Sequence, residues 1–254
     1  MTASTASPFD RPDLYDALLD DLAFDVPFWI EFAREGKGPV LEVACGSGRI
    51  LVRMLEAGLD VDGLDSSAPM LHHARGKVAL LGFRSTLTLA SMTDFALPRR
   101  YRRIVCAFNS FAHNMTTNDQ IETLRRCRDH LEAGGAFGLH LSFPRPELWT
   151  GPCERVLERE MPHPSGSGTM RIYDTRGLDP VQQTQVSDMD IEEVGPGGTL
   201  RATFRSRTDV RWVYKNELEL LLERAGFARF TIYGDFARGP LTPSSDTMVA
   251  VAWK

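Results

Sequence analysis

The sequence predicts an α/β protein: a mainly parallel sheet with helices on both faces, into which an antiparallel β meander is inserted. Three observations carry that prediction. From 39 to 143, short apolar runs alternate with amphipathic helical segments, the punctuation of a parallel sheet. From 144 to 213 helical periodicity vanishes and segments of alternating polarity follow one another, with GPGG at 195–198 as a hairpin signal. Helix-then-strand grammar returns over 215–253, so one α/β domain brackets the meander.

The Ser-, Thr- and Pro-rich residues 1–12 are expected to fray. Apolar side chains recur at helical spacing over 13–35, with Pro27 starting a second helix. PVLEVA at 39–44 is the first strand, and 49–58 a helix stopped by Gly58. VDGLD at 61–65 is the second strand, followed by a helix from Pro69 to about Gly82 and a third strand at 85–91. A fourth strand at 103–109, a helix over 118–135 with a glycine stop, and a fifth strand at 136–143 complete this half. Past the meander come a helix at 215–225 and strands at 229–236 and 247–253. The domains read as an N-terminal helical lid (1–38), an α/β domain (39–143 and 214–254) and an inserted sheet (144–213).

With 254 residues, 43% hydrophobic and 25% charged, the chain can bury a proper core and is not disordered, collagenous or a coiled coil. A net charge of −5 leaves no electrostatic footprint for nucleic acid and no polybasic membrane anchor. No apolar run approaches ~20 residues and the N-terminus carries no secretory pattern, so a cytoplasmic protein is expected. Cys45, Cys106, Cys127 and Cys153 show neither disulfide nor metal-ligand spacing, and read as reduced thiols with no metal site.

The most informative segment is VLEVACGSGR at 40–49, where a buried strand runs through Gly46 and Gly48 directly into a helix. Glycines there let the backbone approach a ligand, and the helix N-terminus offers free N–H groups. A dinucleotide fingerprint needs a third glycine where Leu51 stands, and a Walker loop needs a Gly-Lys-Ser/Thr that is absent. Glu42 at the end of strand one and Asp65 at the end of strand two are the adjacent acids. A carboxylate at the second strand's tip suits a ribose diol, accepting two hydrogen bonds.

The ordered strings E-V-A-C-G-S-G, V-D-G-L-D-S-S, A-S-M-T-D-F and C-A-F-N-S-F-A-H resemble successive motifs of class I S-adenosylmethionine-dependent methyltransferases. The A-C-G-S-G and N-S-F-A-H strings are most similar to glycine/sarcosine N-methyltransferases and related small-molecule enzymes. The resemblance implies a Rossmann-like seven-stranded sheet in the order 3-2-1-4-5-7-6, its last strand antiparallel. It implies S-adenosylmethionine as cofactor, with the loop of Gly46 and Gly48 on the methionine moiety and Asp65, followed by Ser66, on the ribose. It places Ser91 and Met92 beside the adenine and Phe108 and Asn109 beside the sulfonium. Glu42 and Met70 are further cofactor candidates, and Arg34 matches an arginine that holds the methionine carboxylate. Ala44 replaces the usual first glycine, and Ser91 stands where many relatives have Asp.

The expected activity is methyl transfer to a small nucleophile: an amine nitrogen, a phenolic oxygen, or an electron-rich carbon such as indole C3. Natural-product biosynthesis is the expected setting. His113, four residues past Asn109, is the expected general base, with Asp25 to orient it and Tyr15 to line the sulfonium or hold the acceptor. The insert would roof the pocket or form a homodimer face, with Trp149, Tyr173 and Trp212 as walls of the pocket or core of the meander. His130 and His140 read as a helix-face and a strand residue. A non-catalytic S-adenosylmethionine-binding protein is the reading from a different class.

Overall fold

The structure is a computed structural model that describes residues 7–19, 22–145, 154–163 and 166–254. Its helices are α1 (Pro12–Leu19), α2 (Val26–Gly36), α3 (Arg49–Glu56), α4 (Ala68–Leu80), α5 (Thr117–His130) and α6 (Lys215–Arg224). The strands are β1 (Val40–Val43), β2 (Val61–Asp65), β3 (Leu87–Leu89), β4 (Tyr101–Cys106), β5 (Leu131–Ser142), β6 (Val156–Pro162), β7 (Thr169–Asp179), β8 (Thr184–Val194), β9 (Leu200–Arg211), β10 (Arg229–Tyr233) and β11 (Thr247–Trp253).

Seven strands form one sheet in the order β3-β2-β1-β4-β5-β11-β10. The first five are parallel, and β11 runs antiparallel between β5 and β10. With β11 and β10 as strands seven and six of the α/β domain, this is the order that the motif resemblance implies. β1, at the centre, is buried along its whole length, as a parallel strand covered on both faces must be. One face packs on α5 and α6 through Phe111, Phe137 and Phe227. The other packs on α2, α3 and α4 through Phe28, Trp29, Phe32 and Leu51.

Two glycines permit that second face to close. A Cβ on Gly138 of β5 would lie 2.8 Å from the Trp29 ring and 2.9 Å from that of Phe32, so α2 could not seat. A Cβ on Gly63 of β2 would lie 2.6 Å from Leu51 Cδ1 and 2.9 Å from Cys45 Sγ. The close helix–strand approach that dinucleotide folds obtain from a glycine in the helix is here obtained from a glycine in the strand.

The meander forms a separate antiparallel sheet, β6-β7-β8-β9. It does not stand alone: Leu14 of α1 packs with Met170, Ile172 and Ile191 in a third cluster, flanked by Leu18, Met189 and Phe204. Arg159 Nη1 also donates to the Leu18 carbonyl at 2.8 Å. α1 is tied on its other side to α4, where Asp16 bonds His73 Nε2 at 2.7 Å and Lys77 Nζ at 2.6 Å.

Several boundaries differ from the sequence-based expectation. Residues 7–12 do not fray: Ser7 caps a short 3-10 turn over Pro8–Asp10, and Pro12 starts α1. The helix expected to end at 135 ends at His130, because Leu131 turns extended and pairs with Tyr101. Gly134 and Gly135 then sit in the irregular stretch where the β4–β5 register shifts. A Cβ on Gly135 would lie 3.0 Å from the Glu132 carbonyl and 3.2 Å from that of Arg102. β4 stops at Cys106 instead of 109, because Phe108 and Asn109 take left-handed backbone (φ 52° and 60°). β3 and β10 are shorter than expected, ending at Leu89 and Tyr233.

Candidate functional site

A cavity of about 810 Å³ opens at the carboxyl ends of β1, β2, β4 and β5, in the upper part of the ~300–1,000 Å³ range of ligand sites. Its floor is the sheet. Its roof is β8 and β9 of the meander, and its side is made by N-terminal residues within Pro8–Leu19 and by Phe24.

The floor begins at the β1–α3 turn. Gly46 lines the cavity at φ 55°, and a Cβ added there would meet open space, so the turn leaves a bare backbone cradle. Gly48 lies behind the wall, where its φ of 87° turns the chain into α3. Ala44 adopts φ 57°, left-handed backbone that an L side chain resists. Across the turn, Asp65 at the end of β2 accepts from Gly46 N and Ser67 N, both at 2.8 Å. Burial raises its pKa, and those two N–H groups oppose the rise. Ser66 joins Asp65 on the lining.

The third part of the floor follows β4. Phe108 and Asn109 line the cavity, and Asn109 Oδ1 accepts from Ser142 N at 3.0 Å, fastening the end of β4 to that of β5. Met92 lines it too, its sulfur held 3.2 Å from the Asn114 amide. Strained left-handed residues on two of the three floor segments are typical of ligand sites, at about 1–3 kcal/mol each.

His113 ends the short 3-10 turn Ser110–His113 and lies on the cavity wall. Its Nδ1 is 3.3 Å from the Asp209 carbonyl of β9, and its ring meets Phe9 edge-on at 5.4 Å. A carbonyl can only accept, so Nδ1 carries the proton and Nε2 keeps its lone pair. Burial lowers the His113 pKa, so the ring is neutral at neutral pH. Tyr15 of α1 also lines the cavity, its phenol pushed up to about 12 by burial, so the hydroxyl stays a donor.

The remaining sequence candidates lie elsewhere. Asp25 does not reach His113: it is fully buried and takes Arg49 in a two-pronged ion pair, Nη1–Oδ1 2.7 Å and Nη2–Oδ2 2.8 Å. Arg34 is exposed in the last turn of α2 and donates to Ala57 O at 3.4 Å, at the end of β1 away from the glycine turn. Met70 is fully buried in the core under α4. The Ser91 hydroxyl pairs with Thr93 at 2.8 Å, off the lining. Glu42 is buried behind the turn with Oε2 unpartnered, and burial raises its pKa well above the carboxylate range. Tyr173 packs under Arg155, 3.4 Å from ring centroid to guanidinium, and Trp212 lines a smaller neighbouring cavity. Trp149 and Cys153 lie outside the described residues.

Two residues to which sequence reasoning gave no site role stand at the cavity or beside it: His140, read there only as a strand residue, and Arg49. His140 of β5 lines the cavity with Nδ1 unpartnered, its ring edge-on to Phe236 at 4.9 Å. Burial drives its pKa down to about 4. Arg49 stands one residue past Gly48, its guanidinium 4.6 Å from the Phe108 ring centroid. His130, by contrast, is structural: Nε2 accepts from Leu97 N at 2.9 Å and Nδ1 donates to Arg126 O at 2.7 Å.

Comparison with known proteins follows this geometry. Residues 40–135, from β1 to the start of β5, match the methyltransferase-domain family. This stretch is a methyltransferase domain. The chain is 34% identical over 96 residues to a dTDP-3-amino-3,4,6-trideoxy-alpha-D-glucopyranose N,N-dimethyltransferase of Streptomyces venezuelae, covering 38% of this chain and 39% of that one. A glycine/sarcosine N-methyltransferase of Halorhodospira halochloris is 27% identical over 233 residues, 88% of this chain and 78% of that one. The chain spans only 56% and 39% of the length of the first two curated relatives it matches, the second being that Streptomyces venezuelae enzyme. Among solved structures, the CcbJ methyltransferase of Streptomyces caelestis superposes with a TM-score of 0.72 at 25% identity, covering 90% of this chain and 94% of that one. That likeness of fold extends over nine-tenths of this chain, well beyond residues 40–135.

Proposed function

We propose that the protein transfers a methyl group from S-adenosylmethionine to a nucleophilic atom of a small molecule, releasing S-adenosylhomocysteine. The observation that carries this reading is the single cavity in which a bare glycine cradle and a strand-end carboxylate face a neutral histidine under an apolar roof. Gly46 would hold the methionine moiety, Asp65 and Ser66 the ribose, and Met92 and Phe108 the adenine and sulfonium sides. The cradle's open space and the cavity's volume fit that ligand. Bound there, the cofactor supplies an electrophilic methyl on a good leaving group.

The chain's own residues then have three tasks. The N-terminal wall, Pro8–Leu19 with Phe24, and the roof exclude water and align the acceptor. The Asp209 carbonyl holds the His113 ring so that Nε2 is the free base. There Nε2 would take up the proton that the acceptor loses as its atom turns nucleophilic. Tyr15, a hydroxyl held protonated, orients the acceptor or lines the sulfonium. Amine nitrogen is the favoured acceptor, ahead of an electron-rich carbon such as indole C3, because amines are what the named relatives methylate. Natural-product biosynthesis is the setting proposed for this reaction. Cys45, Cys106 and Cys127 are unpaired buried thiols, which supports a cytoplasmic location.

The test is a panel of amino acids, amines and indoles with S-adenosylmethionine, read as S-adenosylhomocysteine release. Turnover with at least one acceptor is expected. Failure of the protein to bind S-adenosylhomocysteine in calorimetry overturns the reading.

A further inference from the structure

We propose that the methyl acceptor is a bulky, mostly apolar molecule, neutral or cationic, and neither a nucleotide sugar nor a free amino acid. This rests on the methyltransferase reading above and names the acceptor class for the same cavity.

Away from the glycine turn the cavity is walled by Leu18, Phe24, Met189, Ile191, Phe204 and Val210. Hydrocarbon on the roof and the side rewards an acceptor that buries apolar surface, at ~25 cal/mol per Å². The ionisable side chains on the lining are Tyr15, Asp65, His113, His140 and Asp246, and no Arg or Lys is among them. Residues 1–6, 20, 21, 146–153, 164 and 165, outside the described set, contain no Arg or Lys either. Away from the glycine turn, whose backbone N–H groups can meet the cofactor's own carboxylate, a diphosphate or carboxylate taken from water finds no side-chain cation on the lining, and an unpaired buried charge costs several kcal/mol. Sites that select phosphate or carboxylate normally supply arginine forks.

The neighbouring cavity of about 320 Å³ shares Asn109, Ser142, Val210 and Asp246 with the first, and Arg145 and Arg176 line it. Both cations are already matched. Arg145 pairs with Asp246 at 2.9 Å, and Arg176 with Asp174 at 2.6 Å and Glu158 at 3.0 Å. An anion reaching that space would have to displace a carboxylate. Besides His113 Nε2, a polar handle without a partner on the wall is His140 Nδ1, on a side chain only 6% exposed. A neutral imidazole there suits one hydroxyl, amine or ring N–H on an otherwise apolar body.

The test uses wild-type protein saturated with S-adenosylhomocysteine and three probes on one ring: 3-methylindole (neutral), tryptamine (cationic) and indole-3-acetate (anionic), with dTDP-glucose as the fourth. Calorimetry is expected to show the neutral and cationic probes binding at least tenfold tighter than indole-3-acetate, with no measurable dTDP-glucose binding. Indole-3-acetate or dTDP-glucose binding as tightly as 3-methylindole overturns the proposal, as does binding of none of the indoles. Loss of S-adenosylhomocysteine binding itself strikes the methyltransferase reading instead, so the two failures are distinguishable.

Discussion

Arg49 forks onto Asp25: the first residue of α3, just past the glycine turn, holds the residue that leads into α2, and the same guanidinium donates to the Leu22 carbonyl at 2.7 Å. The pair ties the segment that walls the cavity to the helix that starts at its floor. Removing one partner leaves the other charge buried and unmatched. Arg49→Met is therefore expected to lose about 3–5 kcal/mol of stability, measured by chemical denaturation. A loss under 1 kcal/mol would mean that Asp25 finds solvent.

Asp65 presents a carboxylate to the cavity from the end of β2. Asp65→Ala is expected to weaken S-adenosylhomocysteine binding by about 1.5–3 kcal/mol, the worth of hydrogen bonds to a charged group. Unchanged affinity in calorimetry would remove Asp65 from the ribose site.

His113→Ala should lose a factor of ~10²–10⁴ in turnover while still binding S-adenosylhomocysteine. The base must be neutral, and its pKa is lowered by burial, so kcat/KM should rise with pH through a limb lying below 6.5. Turnover within a few-fold of wild type, with that limb intact, would show that alignment alone drives the reaction.

His140 sets a pH window for stability. Burial lowers its folded pKa from 6.5 to about 4, with Asp25 opposing the fall and Arg49 adding to it. The unfolded chain therefore binds the proton more readily, and stability is full above 6.5 and is lost as pH falls toward 4. The loss amounts to about 3 kcal/mol, at 1.36 kcal/mol per pKa unit. His140→Phe should flatten this part of the stability–pH curve, and an unchanged curve would count against it.

Ala44 stands in left-handed backbone where glycine carries no Cβ penalty. Ala44→Gly is expected to raise stability by about 1 kcal/mol, read from the denaturation midpoint. A loss would show that the Ala44 methyl group contributes packing that outweighs the strain.

The sheet was legible because β1, β4 and β5 are buried on both faces and so read as continuous apolar runs between helix signals. The misplaced boundaries lie where local chemistry points one way and pairing another. Gly134 and Gly135 look like a helix stop, yet Leu131 is already captured by Tyr101. At the site, Gly46, Asp65, Met92, Phe108, Asn109 and His113 belong to short motifs at strand ends, so local sequence sufficed. The insert is expected from the sequence to roof the pocket or form a dimer face, but its lining residues did not read: Met189 and Phe204 stand on the cavity where α1 packs on the meander. His140 had a weak signal, a histidine near the carboxyl end of the strand beside β4. Arg49 had another, a charged residue opening a helix whose next three residues are all buried.

The roof contributes Met189 and Ile191 from one strand and Phe204, Thr208 and Val210 from the next, positions an even number of residues apart on each. Side chains at such spacing share one face, and the ladder between the strands is made by backbone. The floor, in contrast, depends on turns whose dihedrals tolerate few residues. If the floor captures the cofactor and the roof chooses the acceptor, as proposed, the two tasks are inherited on separate stretches of gene. Selection could then rewrite the ceiling one alternate codon at a time and change the acceptor while the floor's turns stay as they are.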